Sequence, residues 1–282
     1  MKKKLVLGLT IVMVLSLTAC VSEKDKDGAE DTNLDSSVEG EDLDSLDEDE
    51  NLDSSDEDDN DSEVAVMTYA DYMAAEVDDA VVIEAYVQAK QAWWDGKATV
   101  YAADQDGAYF IYDMVCSEDD YALLVPGAKI RVTGYKTEWS GEIEIAEGAT
   151  FEMVEAGDSY IAEATDVTEL LGTDSLIDSQ NQLVAFKGMT VEASKDADGQ
   201  DVAYLYKWDG SGEDGDDLYF NVSINGATYT FTVESYLCDN STEVYQAVKS
   251  LNVGDVVDME GFLYWYEGVN PHITSVTASS AN

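Results

Sequence analysis

Six glycines constrain this chain more than any other feature. Gly127, Gly134 and Gly141 stand seven residues apart, and so do Gly254, Gly261 and Gly268. Each triplet ends the same series of local signals. In the first copy, residues 80–87 are apolar and β-branched, Trp93-Trp94-Asp95-Gly96 supplies a turn, and residues 98–101 resume a strand. Asp106-Gly107 then turns the chain into residues 109–112. Cys116 closes that strand, and Ser117 caps a predicted helix through Leu124 whose first turn is acidic. Residues 129–133 and 142–145 alternate with period two, as half-buried strands do. The second copy repeats this order: a strand within 182–193, a strand over 218–222, an Asn225-Gly226 turn, and a strand over 228–233. Cys238, a helix over 244–248 with Ser241 as cap, and two final strands from Gly254 complete it. Both triplets also enclose an aromatic hairpin, Tyr135 to Trp139 and Phe262 to Tyr266. Repeats this long are whole domains, because solenoid units run to about 20–50 residues.

Three strands, a helix and two more strands is an order that resembles the OB-fold. The stretches from Gly127 to Gly134 and from Gly254 to Gly261 look like the fourth strand of OB modules in secreted bacterial proteins, as do Trp139-Ser140-Gly141 and Tyr266-Glu267-Gly268 for the hairpin that follows. The fold class expected is mainly β: two tandem five-stranded OB-like barrels, each with a short helix between strands three and four. Residues 66–157 form the first module and 182–282 the second, with 158–181 as a helical linker. Thr68 is read as the cap of a short leading helix, and Asp166-Val167-Thr168-Glu169 as a capping box that opens the linker helix. The second copy departs from the first between Ala193 and Asp217, where an extra strand-like piece over 203–208 precedes an acidic run.

Ahead of the modules lie two segments of different character. Lys2, Lys3 and Lys4 precede an apolar stretch too short for a comfortable membrane span of about 20 residues. It ends in Leu17-Thr18-Ala19-Cys20, which resembles the lipobox of bacterial lipoproteins. The resemblance implies that residues 1–19 are a signal peptide and that Cys20 becomes a diacylglycerol-modified N-terminus on the extracytoplasmic face of a bacterial membrane. The mature chain as a whole looks like a class of tandem-OB lipoproteins from Gram-positive bacteria. Residues 20–65 then read as a disordered acidic tether. Between 21 and 65 there are 21 Asp and Glu, two Lys and no aromatic residue. Such a segment buries too little apolar area to offset its ordering entropy, and like-charge repulsion extends it to at most about 150 Å.

Charge carries the argument about partners. The chain has 61 acids and 14 bases, for a net charge of −47. Without the tether and the three signal lysines, residues 66–282 keep 40 acids and nine bases, a net charge of −31. OB modules hold ligands on the face of strands two and three, framed by the loops between strands one and two and between four and five. Trp93 and Trp94 fall in the first of these loops, Trp208 in its enlarged counterpart, and Trp139, Tyr264 and Trp265 in or beside the four-five hairpins. These six are the candidate ligand-binding residues. They serve either as stacking platforms or as caps and buried contacts between modules. Single-stranded nucleic acid needs a basic groove beside such platforms, and only Lys129, Arg131 and Lys136 are at hand to build one, so nucleic acid is not expected as a partner.

The remaining chemistry is sparse. Asp104-Gln105-Asp106-Gly107 and Asp196-Ala197-Asp198-Gly199 match only part of a calcium loop and read as hairpin turns; the run from Asp209 to Asp217 is a looser cation candidate, and no metal or cofactor is expected. His272 stands alone and reads as structural, and no nucleophile motif occurs, so no catalytic residue is assigned. Cys116 and Cys238 are expected as buried thiols. The function expected is non-catalytic binding at the cell surface, with the membrane engaged through the lipid and the aromatic rim engaging a protein or cell-wall glycan. The alternatives are an accessory subunit or hydrolase acting on wall or extracellular polymers, and a structural spacer in a surface complex.

Overall fold

A computed structural model describes residues 65–155 and 157–280. The signal segment, Cys20 and the acidic run to residue 64 lie outside the described residues. The chain opens with a short helix α1 (Tyr69–Ala74), whose cap Thr68 and third residue Asp71 bond each other's backbone in a capping box. Six strands follow: β1 (Ala80–Lys90), β2 (Lys97–Ala103), β3 (Ala108–Val115), β4 (Lys129–Trp139), β5 (Glu142–Ile145) and β6 (Thr150–Met153). Helix α2 (Glu118–Leu123) sits between β3 and β4, capped by the Ser117 hydroxyl.

Pairing closes these strands on themselves. β1 pairs with β2, β2 with β3, β3 in parallel with β5, β5 with β4, and β4 back with β1. That is the OB order, a closed five-stranded barrel with the helix between strands three and four. The second half adds β7 (Thr165–Asp166), β8 (Leu183–Glu192), β9 (Ser194–Lys195), β10 (Asp201–Val202), β11 (Leu205–Tyr206), β12 (Leu218–Ile224), β13 (Ala227–Val233), helix α3 (Glu243–Lys249), β14 (Val256–Phe262) and β15 (His272–Ala278). Here β8, β12, β13, β15 and β14 close in the same order, again with one parallel pair, β13 with β15. The protein is therefore mainly β, with two OB-like barrels. Each has its own core, one around Ile83, Val100, Ile111 and Val132, the other around Phe186, Phe220, Phe231 and Met259.

The middle glycine of each triplet marks the place where strand four crosses strand five. A Cβ on Gly134 would lie 2.7 Å from the Ile145 side chain, and one on Gly261 would lie 2.3 Å from the His272 carbonyl oxygen. The repeated spacing thus reflects the same crossing built twice.

Three local expectations need correction. Thr242 caps α3, its hydroxyl accepting from Tyr245 N, because Ser241 is instead held by Asp239, which accepts from both its N–H and its hydroxyl. The stretch from Thr165 to Ser179 holds no α-helix; it makes the two-residue strand β7 and two 3-10 turns, Thr168–Leu170 and Asp174–Ser179. Asp166 forms a tight turn there, with Oδ1 accepting from Thr168 N and Oγ1, and so the capping-box pattern closes a turn and not an α-helix. The strand-like piece over 203–208 is split, only Leu205 and Tyr206 pairing with β12.

Candidate binding groove on the second barrel

The two barrels use their ligand faces differently. On β2 and β3 of the first barrel, the outward residues Thr99, Tyr101, Ala103, Ala108 and Phe110 are all buried. Tyr101 and Phe110 are covered from the second barrel. Phe262 stacks on Tyr101 with ring centres 4.2 Å apart and planes 9° from parallel, and Tyr264 meets Phe110 edge-on at 5.2 Å. Hydrogen bonds tie the edges: Trp265 N donates to Glu142 Oε2 at 2.8 Å, Glu267 N to Ser140 O at 2.8 Å, and Ala92 N to Tyr236 O at 2.6 Å. Gly141 has no side chain because the Trp265 indole lies where its Cβ would be, 2.8 Å away. The four-five hairpin of the second barrel is therefore a plug over the first barrel's ligand face.

The corresponding face of the second barrel is open. A hollow of about 670 Å³ lies over β12 and β13, lined by Trp208, Asp217, Tyr219, Thr232, Glu234, Tyr264, Tyr266, Asn270 and His272. Strand alternation explains much of this wall: Phe220 and Phe231 point into the core, so Tyr219 and Thr232 point out. A second hollow of about 440 Å³ adjoins it and shares Glu234, Tyr264 and His272. Trp94, Tyr112, Phe110 and Tyr236 line that side. Together they make one groove from the Trp208 loop of the second barrel to the Trp94 loop of the first.

The floor is electrically unusual. Glu234 accepts from Tyr236 N at 3.2 Å and from Leu237 N at 2.9 Å, and its carboxyl is pushed up to about 7, first by burial and then by the neighbouring Asp217. Asp217 is itself fixed, its Oδ1 accepting from Ser235 N and Oγ. His272 is only 6% exposed; burial pushes it down to about 3, so the imidazole is neutral. It meets the Tyr101 hydroxyl through Nδ1 at 3.0 Å and stacks on Tyr264 with centres 4.5 Å apart.

The six aromatic residues singled out on the sequence separate into different roles. Trp208 and Trp94, 75% and 72% exposed, stand at opposite ends of the groove, and Tyr264 lies between them on the shared wall. Trp265 is half-buried between the barrels, against Gly141. Trp93 is tied back through Nε1 to the Cys116 carbonyl at 2.9 Å. Trp139 is exposed and lines neither hollow. Sequence reasoning passed over Tyr219, Tyr266, Glu234 and Asn270 as groove residues, and read Asp217 only as the end of a loose cation run. Tyr219 and Glu234 do carry a signal, since they occupy outward positions on and just after the second and third strands, but 40 acids hide any one pair.

Elsewhere, Asp104 Oδ1 accepts from Asp106 N and Gly107 N, and Asp196 Oδ1 from Asp198 N and Gln200 N, so both partial calcium loops are Asx turns. Cys116 and Cys238 are free and buried. Lys129 and Arg131 both pair with Glu84, at 2.8 and 2.7 Å. Lys136 is buried, its Nζ donating to the carbonyls of Tyr72, Met73 and Ala75.

No family model matches the chain, and no curated protein matches it. Several solved structures do. A murine DNA-binding protein bound with double-stranded DNA is 10% identical, with 71% of this chain and 97% of that one covered at a TM-score of 0.35. The Ifi202 HINa domain in complex with 20-bp double-stranded DNA is 12% identical, covering 72% and 100%, with a TM-score of 0.33. A replication protein A heterotrimer bound to single-stranded DNA is 12% identical over 70% of this chain and 49% of its own, with a TM-score of 0.27. These structures hold DNA, a fact about them alone. The expectation that nucleic acid is excluded is nonetheless corrected, because net charge describes a whole surface whereas strand contacts are local, so a count of acids does not rule such a ligand out.

Proposed function

We propose that the protein is a lipid-anchored binding protein of the extracytoplasmic cell surface, held through Cys20 and recognising its partner in the groove of the second barrel. The observation that carries the binding reading is the pairing of one covered ligand face with one open face. Aromatic rings of Trp208, Tyr219, Tyr264 and Tyr266 wall the open face, and Asn270 and Thr232 add fixed polar groups. Aromatic rings beside a few oriented polar groups are what a binding cleft requires. Non-catalytic recognition of a protein or glycan is the reading favoured. A hydrolytic one would rest on Asp217 and Glu234, two carboxyls in one hollow with one raised toward neutrality.

Tryptophan fluorescence of the whole chain, titrated with peptidoglycan fragments, glycans, cationic peptides and oligonucleotides, tests the binding reading. Trp208→Ala is expected to weaken binding by about five- to 150-fold without changing stability, since Trp208 is exposed and a stacked ring contributes about 1–3 kcal/mol. Identical titrations for parent and variant would place the site elsewhere, and turnover of reporter glycosides would favour the enzyme. The anchor is checked separately: Cys20→Ala should move the protein from the membrane fraction into the medium.

A further inference from the structure

The two carboxylates of the groove have no counter-charge. Among the described residues, the ion pairs use Glu84, Asp113, Glu147, Asp201 and Asp214, and neither Asp217 nor Glu234 takes part in one. No Lys or Arg lines the hollow over β12 and β13. Lys97, on the adjoining side, is already paired with Asp113 and Glu147. Half-buried and side by side, two carboxylates repel each other at a cost in free energy that an incoming cation would recover. A second observation is independent of charge. His272 is more than nine-tenths buried and lines both hollows; Nδ1 meets Tyr101, and the other ring nitrogen makes no hydrogen bond within the described chain. A neutral imidazole nitrogen left free in a pocket wall is an acceptor or donor waiting for a ligand group.

We infer that the groove of the second barrel takes an organic ammonium group, with Asp217 and Glu234 as its counter-charge and Trp208, Tyr219 and Tyr266 as its aromatic walls. The inference rests on the groove being the binding site, as proposed above. Ring faces attract cations through their quadrupole, and the attraction strengthens when both are partly desolvated. The chain uses the same chemistry internally, Lys90 Nζ lying 3.6 Å from the centre of the Tyr121 ring. An ammonium also fits the hollow better than a bare metal ion. The two carboxylates already spend oxygens on backbone and serine donors, and the rest of the wall is largely aromatic.

Binding is coupled to a proton. Glu234 faces Asp217, Tyr219, Tyr264, Tyr101, Cys238 and the neutral His272, and shares the adjoining hollow with Lys97 and Asp113; Lys97 is paired with Asp113 and Glu147, and burial and Asp217 push the Glu234 carboxyl up. An ammonium therefore displaces a proton from the groove below about pH 7 and meets a ready anion above it. The ligand's own pKa, about 10 for an alkylamine, keeps it charged throughout.

The test uses the full chain without its signal segment, titrated by calorimetry at pH 6 and pH 8. Probes are hexylammonium chloride, hexyltrimethylammonium chloride, neutral 1-hexanol, a lysine tripeptide with both ends blocked, a chitin tetrasaccharide and a thymidine decanucleotide. The expected result is that both ammonium probes bind and hexanol does not, with affinity rising three- to tenfold from pH 6 to pH 8. Stronger binding of the lysine peptide would place the ammonium on a protein partner, and stronger binding of hexylammonium on a free amine. Glu234→Gln should erase the pH dependence and hold affinity at its pH 6 level. Asp217→Asn and Tyr266→Ala should each weaken binding several-fold, so the result does not hang on one variant folding. Equal binding of hexanol, or ammonium binding unchanged by all three variants, overturns the inference. Binding of the saccharide or the decanucleotide with no ammonium binding overturns it too, while leaving the groove as a binding site; silence from every probe, with Trp208→Ala also inert, sinks both.

Discussion

Two buried side chains illustrate how single residues hold the barrels together. Lys136 donates to three carbonyls at the end of α1, satisfying groups that a six-residue helix leaves open. On the sequence it is one of three bases that could build a groove; only the folded chain reveals that its charge is spent on backbone. Glu142 presents a different problem. Its Oε1 and the Asn181 Oδ1 are both buried without a donor, while Asn181 Nδ2 is committed to the Ile143 carbonyl at 3.0 Å. Asn181 is within hydrogen-bonding reach of the carboxyl, so a proton on Glu142 would give the two oxygens the donor they lack. Burial accordingly pushes Glu142 up to about 8 from an ordinary 4.5. The folded state thus keeps a proton that the unfolded chain loses above about pH 4.5. The stability from this group is fully present below that pH and drains away as pH rises through about 8, by up to about 1.4 kcal/mol per unit. Glu142→Gln carries a permanent donor. Its melting temperature should match the parent near pH 5 and exceed it by several degrees at pH 9. Part of the decline will persist, because Glu144 and Glu234 are both pushed up to about 7. Parallel pH profiles for parent and variant would rule out the shared proton.

At the scale of elements, period-two alternation and turn residues were enough to place all ten barrel strands, because both are local properties of the chain. The connection between barrels was not legible in the same way. Asp166-Val167-Thr168-Glu169 carries a helix-start pattern, but Leu176 and Val167 are drawn into the second core and hold the backbone in 3-10 turns. The choice of Thr242 over Ser241 as cap was likewise decided by Asp239, a neighbour that competes for the serine. The glycine triplets allow a graded prediction. Gly134→Ala meets the side chains of Ile145 and Ala149 at 2.7 and 2.9 Å, whereas Gly261→Ala meets backbone, His272 O at 2.3 Å. Side chains can shift and a strand carbonyl cannot without breaking its ladder. Gly134→Ala should cost about 1–3 kcal/mol as an overpacking substitution, and Gly261→Ala clearly more. Urea denaturation midpoints check the order; the reverse order would contradict the crossing described for β14 and β15.

For the molecule as a whole, two aromatic rims were visible on the sequence, and the difference between them was not. Both copies carry tryptophans in equivalent loops, yet one rim is a plugged interface and the other an open groove. That distinction depends on Tyr101, Phe110 and Phe262 meeting across the barrels, residues far apart in the chain whose partners no local pattern specifies. The acidic charge was legible as a sum and misleading as a guide to ligands, since the two carboxylates that shape the groove are anonymous among the rest. The covered face has one more consequence, for valency. A duplicated module would ordinarily offer two equivalent ligand sites and the avidity of a tandem receptor. Here one copy's face serves as the adhesive that fixes the other in place. If the open groove binds as proposed, the repeat is monovalent, and cooperative capture of a polymeric partner would have to come from several molecules side by side, not from within a single chain.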